Sequence, residues 1–154
     1  MRYWLLKTEP GAFSVDDLER APRRTTCWDG VRNFQARNML RDQMKRGDRA
    51  LLYHSSCEEP GIAGLVEVVR EGYPDPTAFD PDHEHYDPAS RREAPRWFMV
   101  DVRLERRLSR LIALEELRAN AGGKLRGMTL LNAGNRLSVM PVDAPHWKFI
   151  LSLE

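Results

Sequence analysis

Cys27-Trp28-Asp29-Gly30-Val31-Arg32-Asn33-Phe34-Gln35-Ala36-Arg37-Asn38 is the stretch on which the reading of this chain turns, because a loop ends in it and a helix begins. Gly30 permits a sharp backbone turn, and Asp29 and Asn33 are residue types that fasten helix starts. Beyond them, Arg32 to Lys45 holds good helix formers with Phe34, Met39 and Leu40 apolar and Gly47 as a stop, so a helix is expected there. Toward the N-terminus, Ser14-Val15-Asp16-Asp17 is a capped start for a short helix through about Ala21, and Tyr3 to Lys7 is a strand stopped by Pro10. Toward the C-terminus, Arg49 to His54, Ile62 to Val69 and Trp97 to Leu104 are strands by apolar, β-branched and alternating content. Gly72 to Arg96 carries five prolines and reads as an irregular surface excursion. Ile112 to Ala119 is a short helix, Gly122-Gly123 a break, Arg136 to Val142 a strand, and Trp147 to Leu153 a terminal apolar segment. Strands in mixed order with helices in the connections give an α+β fold around a small curved or closed sheet.

The chain has 154 residues, 42% hydrophobic and 31% charged, with ten Gly and ten Pro. That suits one globular domain over residues 1–154 and excludes a fibrous or disordered chain. No apolar run approaches the ~20 residues of a membrane span, and Lys7, Glu9 and Pro10 interrupt any signal-type stretch at the start. Cys27 and Cys57 make neither a disulfide framework nor a zinc pattern, so a reducing, cytoplasmic setting is expected.

The formal charge of +1 conceals a segregation. Residues 20–49 hold nine Arg or Lys against three Asp, a net of +6, whereas residues 58–101 hold eleven acids against four Arg, a net of −7. A basic segment that also contains Trp28 and Phe34 can hold a polyanion and stack on a base; two solvated faces of opposite sign are the plainer account. Trp28 likewise is a stacking platform or a core plug, and Asn33 a reader of a base edge or merely the fastener of the helix start. Arg37 and Arg41, one turn apart, share a face suited to phosphates.

Other chemistry is weaker. His54 and Ser55 are neighbours on a strand end, point to opposite faces, and so make a poor base and nucleophile pair. His83 and His85 are metal-ligand types without a second half-site, and loop decoration is the expectation.

Tyr3 to Pro10, Trp28 to Asn38, Tyr53-His54-Ser55, Gly61-Ile62-Ala63-Gly64 and Arg136-Leu137-Ser138-Val139 look like the successive motifs of the EVE domain, in order and from end to end. The resemblance implies a PUA-like β-pseudobarrel of five to six strands surrounded by short helices, related to the YTH readers of methylated adenine and to ASCH domains. It also implies a non-catalytic reader of a modified base, of the 5-methylcytosine or 5-hydroxymethylcytosine type, in DNA or RNA. Prokaryotic members are linked with modification-dependent restriction or RNA modification, which suggests partner proteins of those kinds. The implied pocket has Trp28 as stacking wall, Asn33 and the Lys7, Thr8, Glu9 turn as polar readers, and Tyr53, His54 and Ser55 opposite, with Asp29, Gly30 and Val31 completing it. Arg32, Arg37, Arg41 and Arg136 would contact phosphates. No metal and no cofactor is expected. Two departures stand out: Met140 replaces the family's usual Gln, which would take an amide from the pocket, and the basic N-terminal extension of eukaryotic nuclear members is absent, which points to a bacterial protein.

A base inside a duplex is unreachable, so such a reader must flip it or bind a single strand. The competing reading is an ASCH-type amidohydrolase acting on a modified cytidine through Lys7, Thr8 and Glu9. Along one strand end, however, Lys7 and Glu9 face one side and Thr8 the other.

Overall fold

Trp4, Leu5 and Leu6 are all fully buried although successive strand residues point to opposite faces. The sheet is therefore covered on both sides, which is why its central strands read as unbroken apolar runs. Trp4 and Leu6 join Ala50, Leu52, Val66, Val68, Val100 and Val102 in one core, and Leu5 joins Leu51, Tyr53, Ile62 and Leu65 in the other.

The computed structural model describes Met1 to Glu154. Its strands are β1 (Tyr3–Thr8), β2 (Thr25–Cys27), β3 (Arg49–His54), β4 (Gly61–Pro74), β5 (Phe98–Ala113) and β6 (Val139–Val142), in the sheet order β2-β5-β4-β3-β1-β6. β1 and β3 run parallel and all other neighbours antiparallel. The sheet is curved and mixed but not closed, with β2 and β6 as its edges. Helices α1 (Val15–Arg20) and α2 (Phe34–Asn38) pack Val15, Leu18 and Ala36 on the first core. Helices α3 (Leu114–Ala119) and α4 (Ala144–Ser152) pack Leu117, Trp147 and Ile150 on the second. The buried Asp48 carboxylate ties the first core to the chain's start, accepting from Arg2 N–H, Trp4 Nε1–H and Lys45 N–H, each at 3.0 Å.

Ser14 caps α1 with the expected reciprocal bond to Asp17. Other boundaries move for identifiable reasons. The helix expected from Arg32 begins at Phe34, since Asn33 has extended backbone and caps it, and from Met39 the turns widen until Met44 N–H bonds Met39 O. Gly72, expected to open the irregular excursion, lies inside β4; a Cβ there would come within 2.6 Å of the Leu40 carbonyl, so the residue marks a close approach of strand to helix. β4 and β5 run much longer than their alternating patterns, because register shifts between Ile62 and Tyr73 bend them and β5 passes from the first core at Leu104 to the second at Leu108 and Ile112. Ile112 consequently belongs to β5 and not to α3. β2 is three residues in a stretch read as loop, and the terminal apolar segment is α4.

Candidate functional site

Where the parallel pair β1 and β3 ends, the chain leaves the sheet twice, at Thr8-Glu9 and at Ser55-Ser56. Ser55 N–H donates to Thr8 O at 2.9 Å and holds the two exits side by side. Thr8 Oγ1 donates to Phe13 O at 2.7 Å and folds the next turn back over the first core. The Thr26 to Arg32 loop, leaving the edge strand β2, faces these exits, and a cavity of about 780 Å³ opens between them. Arg136 and Ser138, just before β6, line a further side, and His83, Glu84 and His85 of the excursion line another.

Lys7, Thr8, Glu9, Trp28, Asp29, Gly30, Val31 and Ser55 thus line one cavity together, and so do Arg32 and Arg136. Three expected residues do not. Asn33 spends its amide oxygen on Ala36 N–H at 2.9 Å, as the cap of α2. His54 Nε2 accepts from Val15 N–H at 3.1 Å, and burial pushes its pKa down, so it is a neutral pin for α1. Tyr53 alternates to the opposite face and belongs to the second core. Met140 is fully buried in that core too, so the departure from Gln removes nothing from this cavity.

The arginines also differ from expectation. Arg32 donates through Nη1 to the Asp75 carboxylate at 3.0 Å, through Nε and Nη2 to His85 O at 3.1 and 2.8 Å, and through Nη2 to Thr77 Oγ1 at 3.1 Å. Its fork is spent inside the protein. Arg37 donates to Arg96 O and Asn38 Oδ1, and Arg41 pairs with Asp42; neither borders the cavity. Arg136 is exposed and has no internal partner. Arg23 and Arg24, two exposed residues leading into β2, are also unpartnered, and both hold the left-handed conformation at φ 56° and 53°. Such a strained pair on a cationic turn fits a presented surface.

Asp75 is the anchor of the arrangement. It is fully buried, and its carboxylate accepts from Gly30 N–H at 2.8 Å, Thr77 N–H at 2.9 Å and Thr77 Oγ1 at 2.6 Å besides Arg32. Burial works against its charge, but the bonds from Thr77, Gly30 and Arg32 outweigh it and hold the carboxyl below the ordinary range. This clamp joins the Trp28 loop to the acidic excursion. The excursion is therefore a cavity wall, where sequence suggested decoration, and His83 Nδ1 is taken by His85 N–H at 3.0 Å.

Gly30 has φ +78°, and a Cβ there would sit 2.6 Å from the His85 ring. Gly30→Ala is expected to cost roughly 1–2 kcal/mol, from left-handed strain plus displacement of His85. Chemical denaturation checks this, and a loss of less than half a unit of that scale would mean His85 yields freely. Cys27 also borders the cavity, but burial and the nearby Asp29 and Asp101 push its thiol pKa up, which suits no nucleophile. Glu9 and Asp29 are exposed carboxylates, lacking any internal partner.

The chain is thus an α+β, PUA-like sheet with a polar cavity at the ends of its parallel strands. The chain belongs to the EVE domain family, whose sequence model matches residues 2–153. It is 47% identical to human thymocyte nuclear protein 1, over 99% of this chain and 73% of that protein. The structure of human THYN1 protein in complex with 5-methylcytosine containing DNA superposes with a TM-score of 0.94 at 46% identity, covering 99% of this chain and 97% of that one. A Pseudomonas syringae protein superposes at 0.92 with 45% identity, covering 98% of each chain. An ASCH protein from Zymomonas mobilis, at a TM-score of 0.60 and 10% identity, shares the fold alone. The cytoplasmic expectation is overturned by relatives named as nuclear proteins. Nor does similarity support the bacterial expectation, since animal and bacterial proteins match about equally well.

Proposed function

We propose that the chain, acting as one domain over residues 1–154, is a non-catalytic reader of a 5-methylcytosine-type base in nucleic acid. The observation that carries this is the likeness, over nearly the whole chain, to a protein bound to 5-methylcytosine DNA. The cavity at the strand ends is the place for the base, flipped out or in a single strand, and its volume lies within the range typical of ligand pockets. Cytosine presents an N4 amine, which needs an acceptor, and Asp29 and Glu9 are uncommitted acceptors on the cavity wall formed by the motif residues. Val31, Phe13 and the exposed sliver of Trp28 offer apolar contact for a 5-substituent. Arg136, Arg23 and Arg24 are the phosphate contacts this geometry favours. Hydrolysis is the less suited reading, because the Thr8 hydroxyl is already donated to Phe13 O.

The decisive measurement is a titration of single-stranded oligonucleotides bearing one cytosine, 5-methylcytosine or thymine. Asp29→Ala should weaken the cytosine ligands about ten- to a hundredfold, the worth of a 1–3 kcal/mol edge contact, and leave thymine nearly unchanged. A methyl in an apolar recess contributes about 1 kcal/mol, so 5-methylcytosine should exceed cytosine by roughly tenfold at most. Equal loss for all bases would remove Asp29 from base reading. Incubation with N4-acetylcytidine should return it intact, and release of cytidine would replace the reader with an enzyme.

A further inference from the structure

The far side of the same strand ends holds a second cavity, of about 380 Å³, which the base-reading role does not use. Lys7 borders both cavities, but Tyr53, Arg118, Asn132 and Asn135 line only this one, over an apolar floor of Leu114, Leu130 and Leu131. No Asp or Glu lines it. Its two cations are uncompensated: neither Lys7 nor Arg118 has an ion-pair or side-chain hydrogen-bond partner, and Lys7 Nζ sits 5.9 Å from the centre of the Tyr53 ring. Tyr53, which lines this space, is only 3% exposed, and its hydroxyl has no partner within the protein. Asn135 turns its oxygen to Leu137 N–H, leaving its amide nitrogen only a long 3.8 Å contact to the Met140 sulfur.

A recess walled by two free cations, a phenol and amide donors, without one acid, is built for an anion of several oxygens. We propose that this second cavity binds the phosphate group of a phosphate ester, with Lys7 and Arg118 neutralising it, Tyr53 and the asparagine amides donating hydrogen bonds, and the leucine floor taking the organic part. Donors of this number exceed what one carboxylate accepts, whereas a phosphate offers three or more charged oxygens. Two further properties suit the role. Burial holds the Lys7 amine below its ordinary pKa, a penalty that a bound anion would relieve, and burial raises the Tyr53 hydroxyl, keeping it a donor at neutral pH. The ester is either a phosphodiester of the strand whose base occupies the first cavity or a free phosphorylated small molecule.

The test is titration of the full chain with inorganic phosphate, followed by the amide resonances of Asn132 and Asn135, against chloride at matched ionic strength. Saturable shifts specific to phosphate are expected. Arg118→Ala, an exposed and unpartnered residue whose loss should not disturb folding, should weaken phosphate at least tenfold, and Tyr53→Phe, which keeps the ring in the core, about threefold or more. Shifts no different from chloride, or full phosphate affinity in both folded variants, overturn the proposal. Added oligonucleotide separates the sources: displacement of phosphate identifies a strand phosphodiester, and simultaneous binding a separate ligand. Failure here leaves base reading intact, because Arg118 and Tyr53 do not reach the first cavity.

Discussion

Trp28→Ala is expected to remove about 3–5 kcal/mol of folding stability, the usual cost of emptying an aromatic site in a core. The side chain is only 7% exposed and packs in the first core, while its backbone N–H donates to Val100 O at 2.7 Å and ties the loop to β5. A domain of this size has a net stability of roughly 5–15 kcal/mol, so the variant would be marginal and its loss of affinity would say little about stacking. Trp28→Phe separates the two roles. It keeps most of the packing and removes the indole N–H of this cavity-lining residue, which has no partner within the protein. Denaturant melts should rank the proteins wild type, Phe, Ala. If Trp28→Ala loses less than about 1 kcal/mol, the ring is a replaceable cavity lining and not a core member.

This double membership explains what the sequence could and could not show. The motif Trp28 to Asn38 contains the loop that faces the cavity, and the strand ends expected at Lys7 and His54 lie beside two more of its sides. Trp28 gave no sign of which way it faced, because a core plug and a stacking wall need the same residue at a loop-to-helix junction. Asn33 and Arg32 were ambiguous for a related reason: a capping amide and a reading amide, or a clamp and a phosphate contact, differ only in where their partners lie. Those partners, Ala36 for one and Asp75 for the other, are respectively three and 43 residues away. The near one was legible as a cap; the distant one was not. Tyr53 and His54 show the limit of motif reading, since they adjoin Ser55 in sequence while strand alternation and the α1 contact take both away from it. The excursion hid its role behind five prolines, although Asp75-Pro76-Thr77 and His83 to His85 are the parts that reach back. Charge segregation, finally, marked the basic segment but counted Arg32, Arg37 and Arg41, which are committed internally, on a par with Arg23 and Arg24, which are not.

Arg32→Ala should cost about 3–5 kcal/mol, because it leaves a fully buried carboxylate without its cation. The loss should depend on pH with a definite sign. The folded-state pKa of Asp75 lies below its unfolded value, so its ionisation contributes stability above the ordinary aspartate range, and that contribution disappears as pH falls from about 4 through the folded value. Removing Arg32 raises the folded value toward the unfolded one. The gap between wild type and variant should thus be widest at neutral pH and narrow as pH falls from about 4 through the wild-type folded value, below which the carboxyl is protonated in both. A gap that stays constant from neutral to acid pH would show that Arg32 acts through His85 O and Thr77 instead. Binding gives an independent reading. As a phosphate contact, Arg32 would remove about one unit of the salt dependence of affinity when lost. As the clamp that holds His83 to His85 against the Gly30 turn, its loss should weaken every ligand while the slope against salt stays as in wild type.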